Sequence, residues 1–353
     1  MTPPPTIQGL DDLIEALKTL PGPDAEAAAA WAAREERLTK PPGALGRLEE
    51  ISLWLCQWQG RHPPSLGAAK AQVFAANHGI AARGVSAYPA DVTGQMVANF
   101  EAGGAAINQL CQAFGVGFAI DALALERPTE DFTQAPAMTE AECVDALVFG
   151  MGTVTDGMDV LCLGEMGIGN TTSAAALALA LYGGAGGDAA DWTGAGTGVS
   201  GKTLATKTGI VNEAVQFHRS RLGGPLGAPV QALRCLGGRE MAAIAGAVLA
   251  ARYRRVPVLL DGYVATAAAA VLDAQHPGAL DHCQVGHVSG EPGHRRLLEK
   301  LGKTALLDLD MRLGEATGAV LAVAVLRAAV ACHTGMATFE EAAVSGGKSP
   351  ESP

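Results

Sequence analysis

The sequence predicts an α/β fold in which a mostly parallel sheet is flanked by helices. Three observations carry that expectation. Five short apolar runs, at 71–76, 116–122, 160–163, 256–260 and 283–289, are each the length of a strand buried on both faces. After Pro64 these runs alternate with helical stretches, the pattern of βαβ units. Most of them stop at Gly, Asp or Asn, residues that turn the chain at a strand end.

The two ends of the chain read as helical instead. Leu10, Leu13, Leu17 and Leu20 recur at three- or four-residue spacing, and Asp11 and Asp12 suit a first helical turn. A second helix, rich in alanine and charge, is expected over 24–38. The stretch Lys40-Pro-Pro-Gly-Ala-Leu-Gly-Arg47 breaks the chain before a third helix that runs through Trp58. Residues 314–334 are helical again, and the tail 345–353 is expected to fray. No internal repeat is present.

Composition narrows the function classes. Of 353 residues, 48% are hydrophobic and 17% charged, which gives a globular chain with a sizeable core. The net charge of −11 comes with no basic stripe, so a nucleic-acid partner is not expected. An anionic ligand would have to be held by local backbone geometry and a few cations. The seven cysteines, Cys56, Cys111, Cys143, Cys162, Cys235, Cys283 and Cys332, are odd in number and form no CxxC pair. Free thiols in a reducing cytoplasm are the expectation. The N-terminus lacks the basic-then-apolar pattern of a signal peptide, and Gly or charge interrupts the apolar stretches, so no membrane span is expected. His282, His287 and His294 lack zinc-site spacing, and the sequence predicts neither metal nor cofactor.

In parallel sheets, ligands bind at the carboxyl ends of the strands. The first run ends in Asn77-His78-Gly79 and leads into a Gly/Pro-shaped loop at 84–89. That arrangement suits a ligand wall and equally a simple turn closure. The third run ends in Leu163-Gly-Glu-Met-Gly-Ile-Gly-Asn-Thr-Thr172 before a long Ala/Leu helix. Gly167 and Gly169 let the backbone approach a ligand. Asn170, Thr171 and Thr172 stand at helix N-cap positions, where free amides face outward toward a phosphate. Glu165 suits ribose hydroxyls. Many such turns serve packing alone.

Gly196-Thr-Gly-Val-Ser-Gly-Lys202-Thr203 matches the phosphate loop of nucleotide triphosphatases, and Asp261 ends an apolar run as a magnesium ligand would. A true phosphate loop follows a buried strand, and residues 187–192 are polar and Gly-rich. The glycines and Lys202 still suit a nucleotide 5′-phosphate. Ser289, Gly290 and Glu291 follow the last run and suit ribose or phosphate, whereas His287 reads as a satisfied polar residue. Glu315 opens an apolar helix. It either offsets the helix dipole, which lowers its pKa, or serves as a general base in an apolar pocket, which raises it. Spacing alone does not choose between these.

Taken together, these stretches resemble the nicotinate-nucleotide–dimethylbenzimidazole phosphoribosyltransferase family. The likeness runs from Lys40-Pro-Pro-Gly-Ala-Leu-Gly-Arg-Leu-Glu49 through Gly164–Thr172, Leu259-Leu-Asp-Gly262 and His287-Val-Ser-Gly-Glu291 to Met311-Arg-Leu-Gly-Glu-Ala-Thr-Gly318. It implies a Rossmann-like α/β domain over 61–314, a small helical domain made of 1–60 plus 315–353, and a homodimer. It also implies transfer of the 5-phosphoribosyl group of nicotinate mononucleotide to 5,6-dimethylbenzimidazole or a related base. Nicotinate would leave, and the product would be the α-ribotide of the cobamide nucleotide loop.

By the same resemblance Glu315 is the catalytic base, Glu165 binds substrate and Lys202 lies on the phosphate side. Gly167, Gly169, Asn170, Thr171, Gly194, Gly196, Ser289, Gly290 and Glu291 complete the nucleotide site. The base pocket falls on Asn77, His78, Ser86, Tyr88, Gln95, Met96 and Leu313. Two positions depart from the pattern: Asn77 stands where many relatives carry Asp, and Tyr88 where some have a small Ser. Two other readings are a phosphate-loop ATPase or kinase using 196–203, and a catalytically silent nucleotide-binding member.

Overall fold

The computed structural model describes residues 3–184, 186–221 and 228–345. Three helices come first: α1 (Leu10–Leu17), α2 (Ala25–Glu35) and α3 (Arg47–Gln59). The α/β body follows with β1 (Ala69–Ala75), α4 (Val92–Glu101), α5 (Ala106–Ala113), β2 (Gly117–Ala122), α6 (Glu140–Gly152) and β3 (Val160–Met166). Between β3 and the next strand stand α7 (Asn170–Tyr182), α8 (Gly201–Arg221), α9 (Pro229–Leu236) and α10 (Arg239–Tyr253). The chain closes with β4 (Val258–Leu260), α11 (Tyr263–Gln275), β5 (Cys283–Val285), α12 (Pro292–Leu301) and α13 (Thr317–Gly335). The expected tail lies mostly in 346–353, outside the described residues.

All five apolar runs contain strands. The strands form one parallel sheet in the order β2-β1-β3-β4-β5. That order reverses direction between β1 and β3, and a crevice opens above the carboxyl ends at such a switch point. The strand alternation is visible in what each face touches. Leu161, Leu163, Val258 and Leu260 join one core with α6, α7, α9, α10 and α11. Val160, Cys162 and Leu259 join the other with α3, α5 and α13. Successive side chains on a strand point to opposite faces, so the continuous apolar runs serve both layers.

Local signals fix several helix ends. Asp24 accepts from the Ala27 amide (2.9 Å) at the start of α2. Thr139 and Glu142 form a reciprocal capping box at α6, Thr139 Oγ1 accepting from the Glu142 amide (3.2 Å) and Glu142 Oε2 from the Thr139 amide (2.9 Å). Helix α10 is buried along its whole length, with an apolar middle and the charged Arg239, Glu240 and Arg252 toward its two ends.

The chain ends close on each other. Leu38 bridges Thr338, the Arg34 guanidinium donates to the His333 carbonyl (2.8 Å), and Lys40 pairs with both Glu35 and Glu49 (2.8 Å each). Helix α1 stands apart from this group, because Leu10, Leu13 and Leu17 pack into the core on the opposite face of the sheet. Helix α13 is long and apolar enough to cross a membrane by length and composition. Its apolar positions Val320, Val323 and Leu326 are buried against the sheet and α3.

Helices α6 and α10 meet backbone to backbone. A Cβ added at Gly150 would lie 1.9 Å from the Ala243 carbonyl oxygen, and one at Gly246 would lie 1.9 Å from that of Leu147. Overpacking of this kind costs about 1–3 kcal/mol or more. Gly246→Ala is therefore expected to lower the urea midpoint by at least that equivalent with the slope unchanged. An unchanged midpoint would mean the helices can separate without loss.

Candidate active site

A cavity of about 440 Å³ opens at the carboxyl ends of the strands. It is walled by the turn after β3 (Glu165–Thr171), the segments after β4 and β5, the 196–197 loop, Tyr88, and the 312–314 stretch before α13. Each wall is a connection that leaves a strand or enters a helix, which is why residues far apart in sequence converge there.

The 314–316 stretch has unusual backbone. Gly314, Glu315 and Ala316 all have positive φ (86°, 63° and 64°), and two of them carry side chains. Such residues cost on the order of 1–3 kcal/mol each and persist only where the surroundings hold them. The Glu315 amide donates to the Glu165 carbonyl (3.3 Å), which staples the turn to the end of β3. The cavity wall runs to Gly314, with Glu315 the next residue in. Glu315 is 4% exposed, and its Oε2 has no hydrogen-bond partner among the described residues. Burial pushes its carboxyl up to about 7, and the nearby Asp261 adds to the shift. Of the two readings open in the sequence, the geometry favours the raised carboxyl: Glu315 precedes α13, is buried and has the Asp261 carboxyl nearby.

Glu165 lies beside it. Burial raises its carboxyl to about 8, with Asp261 and Glu240 adding to the shift and the Asn170 side chain opposing it through a short hydrogen bond. This end of the cavity therefore holds two carboxyl groups that titrate near neutrality.

Cationic groups gather at the start of α7 and around Gly196. Gly169, at φ 98°, caps the start of α7, and Asn170 and Thr171 of its first turn line the cavity. The positive end of the helix dipole thus faces the ligand space. Lys207, fully buried on α8, donates to Thr171 Oγ1 and to the Gly194 carbonyl (both 2.9 Å). Burial lowers its ammonium to about 8, opposed by Glu291. Glu291 Oε1 accepts from the Gly196 amide (2.7 Å), while its Oε2 has no partner among the described residues. Arg312 donates to the Gly196 carbonyl (3.0 Å) and lines the same region.

Most of the sequence-predicted residues meet here. Glu165, Gly167, Asn170, Thr171, Gly196, Ser289, Glu291, Tyr88 and Leu313 line the cavity. Gly169 and Gly194 stand just behind the wall as helix cap and lysine acceptor. The Gly290 amide is committed to the Met311 carbonyl (2.9 Å). Ser86 sits behind the wall, its hydroxyl bonded to Thr197 Oγ1 (3.0 Å) and accepting from the Tyr88 amide (3.1 Å), which fixes the loop carrying Tyr88.

Five residues fall elsewhere. Lys202 is exposed in the first turn of α8, and Lys207 is the lysine turned inward. His78 is buried beneath the Gly-rich turn, bonded to Glu240 Oε1 (2.7 Å) and Ser173 Oγ (3.1 Å). The Asn77 side chain donates to the Leu125 carbonyl (2.9 Å), which ties the end of β1 to the segment after β2. On α4, Gln95 is exposed and Met96 packs into the second core. The same helix reaches the site through Thr93, whose Oγ1 accepts from the Ile168 amide (3.2 Å).

Sequence reasoning missed Lys207, Arg312 and the contribution of His287. The first had a signal. The buried positions of α8 include Lys207, Ile210, Val211, Ala214, Val215 and His218, and Lys207 heads that helical stripe. His287 is 1% exposed, lines the cavity and leaves Nε2 without a partner among the described residues.

The phosphate-loop reading fails on structure. The 196–203 stretch follows a 3₁₀ turn (Ala189–Asp191), not a strand. Asp261 Oδ1 accepts from the amides of Gly318 (2.7 Å) and Ala319 (3.0 Å) and is committed to α13.

Comparison with known proteins identifies the family. A family model described as "Phosphoribosyltransferase" matches residues 20–344. The nicotinate-nucleotide–dimethylbenzimidazole phosphoribosyltransferase of Rhizobium meliloti (strain 1021) is 56% identical over 95% of this chain and 97% of its own. Its counterpart in Agrobacterium fabrum is 56% identical over 96% of each chain. The crystal structure of CobT from Thermus thermophilus superposes with a TM-score of 0.82 at 43% identity, covering 91% of this chain and all of that one. With a family model spanning most of the sequence and relatives this similar along nearly their whole length, the chain belongs to the nicotinate-nucleotide–dimethylbenzimidazole phosphoribosyltransferase family.

Proposed function

We propose that this chain transfers the 5-phosphoribosyl group from nicotinate mononucleotide to 5,6-dimethylbenzimidazole or a related azole, with Glu315 as the general base. The observation that carries the reading is Glu315 itself, a buried carboxyl with a free oxygen, raised to about 7 and held beside a ligand cavity. The polarity of that cavity supports the choice of donor. A phosphate suits the end formed by α7, Lys207 and Arg312, and a ribose with its cationic pyridinium suits the end formed by Glu165 and Glu315.

The chemistry needs one base and no acid. The C1–N bond to the pyridinium breaks with its electron pair going to nitrogen, and nicotinate departs as a stable neutral pyridine ring. An azole nitrogen attacks C1 from the opposite face, which inverts the centre and gives the α-ribotide. The N–H proton of the azole passes to Glu315. A base of pKa near the working pH is effective in that role, and holding both substrates in line contributes further. Tyr88, 54% exposed on the cavity wall, offers a ring on which the incoming base can stack.

Lys207 is the phosphate-side cation of this proposal, in place of Lys202. A homodimer is implied by the resemblance to the family. Seven free thiols, six of them buried, support a reducing, cytoplasmic setting.

Wild-type enzyme given nicotinate mononucleotide and a panel of azoles is expected to form ribotide and nicotinate in equal amounts, read by mass spectrometry. ATP hydrolysis in place of ribotide formation would overturn the reading. Glu315→Gln should lower kcat by about 10²–10⁴-fold and leave nicotinate mononucleotide affinity largely unchanged. Glu315 must be deprotonated to act, so kcat/KM of the wild type should rise with pH through about 7 and level above it. Unchanged turnover in the variant removes Glu315 from the role. Lys207→Ala should weaken nicotinate mononucleotide binding by about tenfold or more, the effect of losing one charged hydrogen bond, while Lys202→Ala leaves it near wild type. The reverse order would return the phosphate to Lys202.

A further inference from the structure

Asp261 follows β4 and is 1% exposed. Its Oδ1 accepts from the amides of Gly318 (2.7 Å) and Ala319 (3.0 Å), in the first turn of α13. A carboxylate in that place satisfies helix amides that have no partner within the helix and complements the dipole. The helix it clamps begins directly after the left-handed run of Gly314, Glu315 and Ala316. Two side-chain-bearing residues in that conformation relax unless both ends of the run are fixed. One end is held by the Glu315 amide on the Glu165 carbonyl (3.3 Å) and the other by Asp261.

The charged neighbours of Asp261 come from three elements. His287, after β5, brings Nε2 to 3.8 Å from Oδ1. Its Nδ1 lies 3.1 Å from the Val288 carbonyl. Glu165, at the end of β3, and Glu315 are the other two. Glu315 in turn faces Asp261 and Glu165, with Glu240 of α10 behind Glu165. Burial pushes the Asp261 carboxyl up, while His287 and the α13 amides oppose that shift and favour the anion.

We propose that Asp261 is a positioning residue for Glu315: its carboxyl clamps the start of α13 through the Gly318 and Ala319 amides and so holds the left-handed turn that presents Glu315 to the substrates. The inference rests on the reading of Glu315 as the base of phosphoribosyl transfer. It assigns to Asp261 no contact with substrate.

The test uses the full-length chain and two variants. Asp261→Asn keeps an oxygen that can accept the two amides and removes the charge. Asp261→Ala removes both. For each, kcat and KM are measured across pH with nicotinate mononucleotide and dimethylbenzimidazole, and nicotinate mononucleotide affinity is measured by calorimetry. Loss of the facing charge makes Glu315 more acidic, so Asp261→Asn should move the acid limb of kcat/KM to lower pH than wild type while retaining most of kcat. Asp261→Ala should lower kcat by about 10²-fold, the scale of an ångström-level misplacement, with nicotinate mononucleotide affinity held within about threefold.

An unmoved acid limb in Asp261→Asn overturns the proposal. So does equal loss of kcat and affinity in Asp261→Ala, the pattern of general unfolding. If Asp261→Ala does not fold, the pH limb of Asp261→Asn decides. A wild type that forms no ribotide from any azole overturns the phosphoribosyl-transfer reading and this inference with it. A normal wild type with unshifted variants overturns this inference alone.

Discussion

A side chain at Gly164 would place its Cβ 2.0 Å from the backbone nitrogen of Ala316. That contact between β3 and the turn before α13 sets the geometry of the whole site. Two more glycines repeat the arrangement around the same helix start. A Cβ at Gly286 would meet Ala319 Cα at 2.7 Å, and one at Gly318 would meet His287 Cδ2 at 1.9 Å. The start of α13 is thus seated tightly on the strand ends, with the His287 ring and the Asp261 carboxyl against it. The turn that enters it must fit a narrow space, and it does so by adopting left-handed backbone at Glu315 and Ala316. The strain is the cost of bringing Glu315 beside Glu165 at the cavity, where burial raises both carboxyls.

From that contact the electrostatics follow. Carboxyl groups gather where β3, β4 and the α13 turn converge, and burial together with their mutual repulsion raises two of them toward neutrality. The cations gather a few residues away, where α7 begins and α8 turns Lys207 inward. In the proposed reading a chain of net charge −11 holds a phosphate through one helix end and two side chains and not through a positive surface.

Much of this was legible in the sequence. The five apolar runs were short and mostly bounded by turn residues, and each contains a strand. The Glu165–Thr172 turn was legible as a candidate because glycines let a ligand approach and N-cap residues leave amides free, although such turns often serve packing alone. What stayed hidden depends on long-range packing. Lys202 matched a motif, and a motif carries no information on which way a helix rotates; the apolar stripe headed by Lys207 carried that information. His78 and Asn77 looked like a ligand wall because polar residues at strand ends often are, yet the buried Glu240 and Ser173 claim the imidazole. The left-handed turn at Glu315 was invisible, since nothing in Gly-Glu-Ala distinguishes an ordinary helix start from one compressed against β3. The expected grouping of the N-terminal helices missed α1 because an amphipathic helix records that it has a buried face but not which layer that face meets.

The account turns on Glu315 being a buried carboxyl with a titration point near neutrality. Carbon-13 NMR of enzyme labelled at the glutamate side-chain carboxyl, with Glu315→Gln to assign the resonance, measures that point directly. The account predicts a Glu315 midpoint at about 7 in the ligand-free protein. A midpoint at the ordinary glutamate value of 4.5 would show a solvated carboxylate and contradict it.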